Sequence, residues 1–264
     1  MESSIIVKLG GSVITHKGSS PPMINDENLS RIVNELKSHK GELIVVLGGG
    51  AHGHQAAHSY GFGNPETQKE KLLMGVPHIR HNMSVLAQKV ESEMNKEGIP
   101  TVVIPPFTIA TLRNESIQDF STKAIMKTLE SGSIVLTHGD VCFDEEKGAS
   151  ILSGDTIAVY LARELNINSV YIGTDVEGVM DDNPILNPSA KHIPIINHTN
   201  KEDVLTKTGP SMSTDVTGGM SKKVNDLFEL AKHDLEIVIF NLTVPGRLSS
   251  LLLGEPIICT RIMP

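Results

Sequence analysis

Short apolar runs that stop on glycine recur along this chain, and most are followed by a stretch with helical spacing. Ile5-Ile6-Val7-Lys8-Leu9 ends at Gly10-Gly11-Ser12 and reads as a strand. Leu29, Ile32, Val33 and Leu36 then fall at i, i+3, i+4 and i+7, which predicts an amphipathic helix with Asn25 or Asp26 as its N-cap. Leu43-Ile44-Val45-Val46-Leu47 is the next strand, so the chain opens β-α-β, a pattern that demands a parallel pair and a right-handed crossover. That strand breaks into Gly48-Gly49-Gly50-Ala51-His52-Gly53-His54, with a helix-like segment from Gln55 to Ser59. A longer helix is expected from about Pro77, a residue suited to a first turn, with Ile79, Met83, Leu86 and Val90 inward. Thr101–Ile104 reads as a strand, 118–130 as a helix, Ser133–Thr137 as a strand before Gly139-Asp140, and 144–148 as an acidic hairpin.

The second half repeats the theme. Ser153-Gly154-Asp155 opens a helix through Ala162, and Ser169–Ile172 is a strand ending on Gly173-Thr174-Asp175. Residues 176–215 are rich in Asp, Asn, Pro, Ser and Thr, which predicts loops and short elements over a site. Thr217-Gly218-Gly219-Met220 leads into a helix carrying Val224, Leu227, Phe228 and Ala231; Ile237–Phe240 and Thr260–Ile262 are the last strands. Alternating strands and helices imply an α/β fold, an open three-layer αβα sandwich with a mainly parallel central sheet. No linker or repeat divides residues 1–264, so a single domain is expected. Glycines gather where strands end, and the crevice beyond the strand carboxyl ends is where such sheets bind ligands.

Composition narrows the partners. Apolar content of 39% and charged content of 20% fit a globular chain with an ample core. A net charge of −8 argues against nucleic acid as a main partner, and 3% aromatics argue against a base-stacking surface. No stretch approaches the roughly 18 apolar residues of a membrane span. Met1-Glu2-Ser3-Ser4 runs straight into a strand, which predicts no secretory leader, and Cys142 and Cys259 are too scattered to suggest a disulfide framework. A cytoplasmic enzyme is the expectation.

The candidate chemistry lies at the glycine turns. Lys8 stands inside an apolar strand, where an unpaired ammonium is costly, so it is either an edge-strand lysine that snorkels or a cation aimed into a phosphate crevice. Lys17 follows in a polar loop, and Lys222 and Lys223 begin a helix after Gly218-Gly219. Asp140, Asp155 and Asp175 each follow a strand-end Gly or Gly-Thr; one or two of them would suit a helix or turn cap, but three at one sheet edge point to a cation, a ribose or these lysines as partners. The Gly48 turn suits an anion, because its backbone N–H groups precede a helix and no Cβ blocks approach. Its Gly48-x-Gly50-x-x-Gly53 also matches a dinucleotide fingerprint by letter, but after the second strand, and with Gln68-Lys69-Glu70 where an acid should end a strand. Walker A and protein-kinase signatures are absent from the sequence.

Val7-Lys8-Leu9-Gly10-Gly11-Ser12, Gly48–His54, Gly139-Asp140-Val141, Ser153-Gly154-Asp155, Gly173–Val179, Asn183-Pro184 and Asp215–Met220 together resemble, in this order, the amino acid kinase superfamily. Within it the chain looks most like the isopentenyl phosphate kinases, and Val244-Pro245-Gly246, Leu253-Gly254-Glu255 and Thr260-Arg261-Ile262 extend the likeness to nearly the whole length. That resemblance implies transfer of the γ-phosphoryl group of ATP, with Mg²⁺, onto isopentenyl phosphate for isoprenoid precursor synthesis, in a homodimer. It implies that residues about 1–165 bind the acceptor and about 166–264 the nucleotide. It assigns the acceptor phosphate to Gly49, Gly50, Gly53, His54 and Gly154, and catalysis to His54, Lys8, Lys17 and Asp155. It assigns ATP to Lys8, Gly10, Gly11, Ser12, Thr174, Asp175, Gly178, Gly218 and Lys223, and makes Met74, Ile79 and Met83 candidates for an apolar tail pocket. No protein metal ligand is expected, Mg²⁺ being held mainly by ATP oxygens. Two departures stand out: Gly48-Gly49-Gly50-Ala51-His52 replaces the expected Gly-Ala-Gly-Ser-Phe, and with Thr111-Leu112-Arg113-Asn114 it is similar to the fosfomycin kinases. A phosphonate kinase is thus the alternative; a dinucleotide-dependent oxidoreductase and a non-catalytic nucleotide sensor are the readings from other classes.

Overall fold

Every residue of β1 (Ile5–Leu9) and β2 (Leu43–Leu47) is buried, so neither strand presents a polar face to water. Strands of this kind need cover above and below, which a parallel sheet obtains from its crossover helices. The computed structural model supplies that cover; it describes residues 4–182, 187, 189–208, 219–231 and 234–263.

The chain runs from β1 through α1 (Gly11–Ile14) and α2 (Asp26–Leu36) to β2, then through α3 (Gly50–Ser59) and α4 (Lys69–Lys96) to β3 (Thr101–Val103). After a 3₁₀ turn at Pro106–Thr108 come β4 (Ala110–Arg113), β5 (Ser116–Phe120), α5 (Lys123–Glu130), β6 (Ile134–His138), β7 (Asp140–Asp144) and β8 (Gly148–Leu152). The second half contains α6 (Gly154–Leu165), β9 (Ser169–Thr174), β10 (Val179–Met180), β11 (His192–Ile193), β12 (Ile195–Asn197) and α7 (Lys201–Thr208). It closes with α8 (Gly219–Leu230), β13 (Glu236–Asn241), α9 (Arg247–Leu252) and β14 (Cys259–Met263).

The main sheet has the order β12-β14-β13-β9-β1-β2-β6-β3, and only the β13–β14 pairing is antiparallel. This is the expected three-layer sandwich. Ile5, Val7 and Leu9 pack into one core with α2, α3, α4 and α9. Ile6 packs into the other, with α5, α6, α7 and α8. Lys8 follows Ile6 on that second face, because side chains alternate along a strand. Since β1 lies between β9 and β2, Lys8 is on an interior strand, and the edge-strand reading fails. Among the described residues no helix is long and apolar enough to cross a membrane.

Four local expectations are corrected. The helix after β2 begins at Gly50, not Gln55, so His52 and His54 lie within its first turns. The long helix begins at Lys69, and Pro77 is internal to it; Leu72 and Val76 extend its buried stripe on the N-terminal side of the proline. Residues 116–120 form β5, and the helix starts only at Lys123. A second, four-stranded sheet, β5-β4-β7-β8, was not anticipated beyond its β7–β8 hairpin. Asn25 is the N-cap of α2, its side chain accepting from the Asn28 N–H at 3.0 Å.

Candidate active site

The carboxyl ends of β1, β2 and β9 and the start of α6 converge on one crevice. There the turns after β1 and β2 touch backbone to backbone: a Cβ on Gly11 would stand 2.1 Å from the Gly50 nitrogen. Gly50 itself has φ +49° and has Gly11 O and Thr15 Oγ1 against it, so a side chain there is excluded twice over. Thr15 knits the junction, its hydroxyl donating to Gly11 O at 2.7 Å and accepting from the Ala51 N–H at 3.1 Å. The N-terminus of α3 therefore opens directly beside the β1 turn. A helix N-terminus there favours an anion through its unpaired N–H groups and its dipole.

Ser153 caps α6, its hydroxyl accepting from the Thr156 N–H at 3.0 Å, and this places Asp155 in the first turn. Asp155 reaches across to Lys8 at 2.7 Å and lies 3.5 Å from Lys223 of α8. Burial opposes ionisation of Asp155, but the two ammonium groups prevail and hold its carboxyl at about 2. Two lysines thus share the Asp155 carboxylate, and Asp226 of α8 lines the same pocket. Lys17, with 71% of its side chain exposed, pairs with Asp175 at 2.5 Å, at the end of β9. Asp175 is held below the usual carboxylate range against the cost of its burial, chiefly by Lys17, with Ser12 adding a hydrogen bond. Thr174 donates to Asp175 Oδ1 at 3.3 Å, which brings Ser12, Lys17, Thr174 and Asp175 together. Gly178 is pressed against Thr260 and His192, and Thr260 Oγ1 accepts from the Val179 N–H at 2.8 Å.

A residue-by-residue profile of the Amino acid kinase family matches positions 3–241. The chain belongs to the amino acid kinase family. It is 34% identical to the isopentenyl phosphate kinase of Methanothermobacter thermautotrophicus, over 98% of each chain. It is 33% identical to that of Methanocaldococcus jannaschii, over 95% of each. A crystal structure of isopentenyl phosphate kinase, 33% identical, superposes with a TM-score of 0.86 over 98% of this chain and 99% of the other.

In this amino acid kinase, Gly49, Gly50, Gly53 and His54 gather at the start of α3, with His54 half-buried one turn in. Gly154 joins them from α6, since a Cβ there would lie 3.1 Å from Leu47 O. Ile79 and Met83 are 1% exposed in the core beneath α3, whereas Met74 is 66% exposed and is not brought to them. Met83 Sδ would stand 3.2 Å from a Cβ on Gly53, so of the three tail-pocket candidates Met83 is the one brought against the Gly48–His54 turn. Gly218, like Asn183, Pro184 and Asp215–Thr217, lies outside the described residues. Lys222 is exposed.

Asp140 does not join the lysines. It pairs with Arg80 of α4 and, with the fully buried His138, whose Nδ1 is 3.6 Å away, forms a separate cluster on the other face of the sheet. Arg80 stacks over Phe107 at 5.2 Å. Burial raises Asp140 to about 7 despite Arg80, and burial lowers His138 to about 4. His138 Nδ1 must donate to Gly139 O, 3.1 Å away, and Nε2 has no hydrogen-bond partner among the described residues. Arg80 was missed from the sequence. The available signal was its spacing, one and four residues after Ile79 and Val76 on the buried stripe, where an arginine needs a partner.

Proposed function

We propose that this chain is an ATP-dependent kinase that phosphorylates isopentenyl phosphate, giving isopentenyl diphosphate and ADP. The observation that carries the reading is the junction of the α3 N-terminus with the Lys8–Asp155–Lys223 cluster: one anion site abuts one cationic site. A phosphate monoester has a second pKa of about 6, so at neutral pH it is mostly dianionic and already a nucleophile. No general base is needed. The task is to bring two polyanions together and neutralise a loose transition state.

In this reading the N–H groups of Gly49, Gly50 and Gly53 and the His54 ring hold the acceptor phosphate, with Gly154 allowing close approach from α6. Lys8 and Lys17 bridge the transferring phosphoryl group, and Lys223 meets the β- and γ-phosphates. Asp155 keeps Lys8 and Lys223 aimed, and Gly10, Gly11, Ser12 and the Thr174–Gly178 turn border the nucleotide. Residues about 1–165 mainly serve the acceptor and about 166–264 the nucleotide, with the Gly10–Ser12 turn of the first part also bordering the nucleotide. Mg²⁺ would ride on ATP oxygens, because Asp155 and Asp175 already engage lysines, and it would add charge neutralisation. The cytoplasm and a homodimer belong to the same reading. The phosphonate alternative gains nothing from Thr111–Asn114, which form β4 and its turn, where the Asn114 N–H donates to Asp144 at 3.1 Å.

The test is His54→Ala assayed with ATP and a panel of isopentenyl phosphate, dimethylallyl phosphate and fosfomycin. Turnover of isopentenyl phosphate should fall about 10²-fold with the fold intact. Normal turnover by the variant would sink the role of His54, and preference of the parent for fosfomycin would sink the acceptor.

A further inference from the structure

Lys17 is carried on a loop whose base is closed by the Thr15–Ile24 bridge and by the His16 N–H donating to Met23 O at 2.9 Å. Inside the loop the Ser19 hydroxyl donates to His16 O at 3.0 Å and accepts from the Met23 N–H at 2.9 Å. The loop is also tied sideways at two points, both on α3. Ala51 N–H meets Thr15 at the base, and Gln55, one helical turn later, donates from Nε2 to Ser19 O at 2.8 Å near the tip. A carbonyl oxygen only accepts, so the amide nitrogen of Gln55 must face it. The opposite side of the loop is the Lys17–Asp175 pair. The loop therefore spans the crevice from the acceptor helix to the end of β9.

We infer that Gln55 is a positioning residue: it registers the Lys17 loop on α3, so that the ammonium is delivered to a phosphoryl group held over the same helix. This rests on the role given above to Lys17. A lysine is a point charge on a flexible four-carbon stem, so its placement depends on the backbone that carries it. Misplacement by about 1 Å can cost on the order of 10²-fold in rate. Gln55 follows His54 directly, so one helical turn sets both the acceptor-phosphate contact and the lysine opposite it. Asp175 holds the ammonium on the far side of the loop, 2.5 Å away.

Four proteins test this: wild type, Gln55→Met, Lys17→Met and the double variant, each assayed with Mg-ATP and isopentenyl phosphate beside its thermal midpoint. Methionine matches the length of glutamine without its donor. Gln55→Met should lower kcat about tenfold, with both KM values changed less than twofold, the midpoint unchanged and amide exchange in 16–23 accelerated. In the Lys17→Met background the same substitution should add nothing, because Gln55 acts through Lys17. A Gln55→Met kcat within twofold of wild type, or an undiminished further loss in the double variant, overturns the role of Gln55 alone. Full activity of Lys17→Met overturns the role of Lys17 and the inference with it. If Gln55→Met does not fold, Gln55→Glu, which sets a carboxylate against Ser19 O, is read in its place with the same expected loss.

Discussion

Two clusters of buried acid and base stand at the same end of the sheet, on opposite faces, and they behave differently. On the α6 face Asp155 serves two lysines and stays ionised at a crevice edged by glycines. On the α4 face Asp140 meets one arginine beside a neutral histidine, and burial outweighs the arginine, raising the carboxyl to about 7. The difference lies in the number of cations per carboxylate and in access to solvent. Two lysines held at an open crevice can turn to a polyanion. The Asp140–Arg80 pair, with Arg80 stacked on Phe107, is closed away from solvent and ties α4 to the β6–β7 turn.

Lys8→Met is the strongest way to break this contrast. It should cut turnover by about 10³-fold, the upper range for losing one preorganised charge contact in a transition state, while the thermal midpoint moves little. A turnover loss under tenfold would show that the two clusters do not differ in function. Asp140→Ala should do the reverse, removing about 3 kcal/mol of stability by leaving Arg80 largely buried and unpaired, as urea unfolding would measure. A variant as stable as the parent would show that the second cluster is not structural.

The smallest effect is in pH. His138 has a folded value of about 4, below its ordinary 6.5, so between those limits the unfolded chain binds the extra proton and stability falls on acidification. Asp140 has a folded value of about 7, above its ordinary 3.8, so over much of the same window the folded chain binds the extra proton and stability falls as pH rises. The two slopes oppose each other. Asp140→Asn removes the second and should expose a rise in stability with pH from about 4 to 6.5, approaching ~1.4 kcal/mol per pH unit. An unchanged slope in unfolding experiments across that range would refute the opposition.

Much of the main sheet could be read from the chain, because a strand buried on both faces must be a short, nearly continuous apolar run. Ile5–Leu9, Leu43–Leu47 and Ile237–Phe240 are such runs. Residues 116–120 could not be read this way: Ser-Ile-Gln-Asp-Phe is mostly exposed, and it becomes a strand only because β4 pairs with it. Pro77 misled for a similar reason. Its local preference is for a first turn, yet the packing of Gly75 against Tyr60 and Phe62 holds the preceding turns helical. At the site, the glycine turns and Lys8 announced themselves by chemistry that is costly unless used. Met74 fell on the same helix as Ile79 and Met83 but on its outer side.

By itself the sequence determined most strands of the parallel sheet, where their glycine turns lie, and that Lys8 in β1 had either to snorkel from an edge or to find an anion. Those are consequences of local patterning and of the cost of burying an unpaired charge. Only the tertiary structure decided which partner of opposite charge each found: Asp155 for Lys8 across 147 positions, Asp175 for Lys17 across 158, and Arg80 for Asp140 across 60. Charge pairing depends on separations of a few ångströms in space, and no spacing along the chain specifies those.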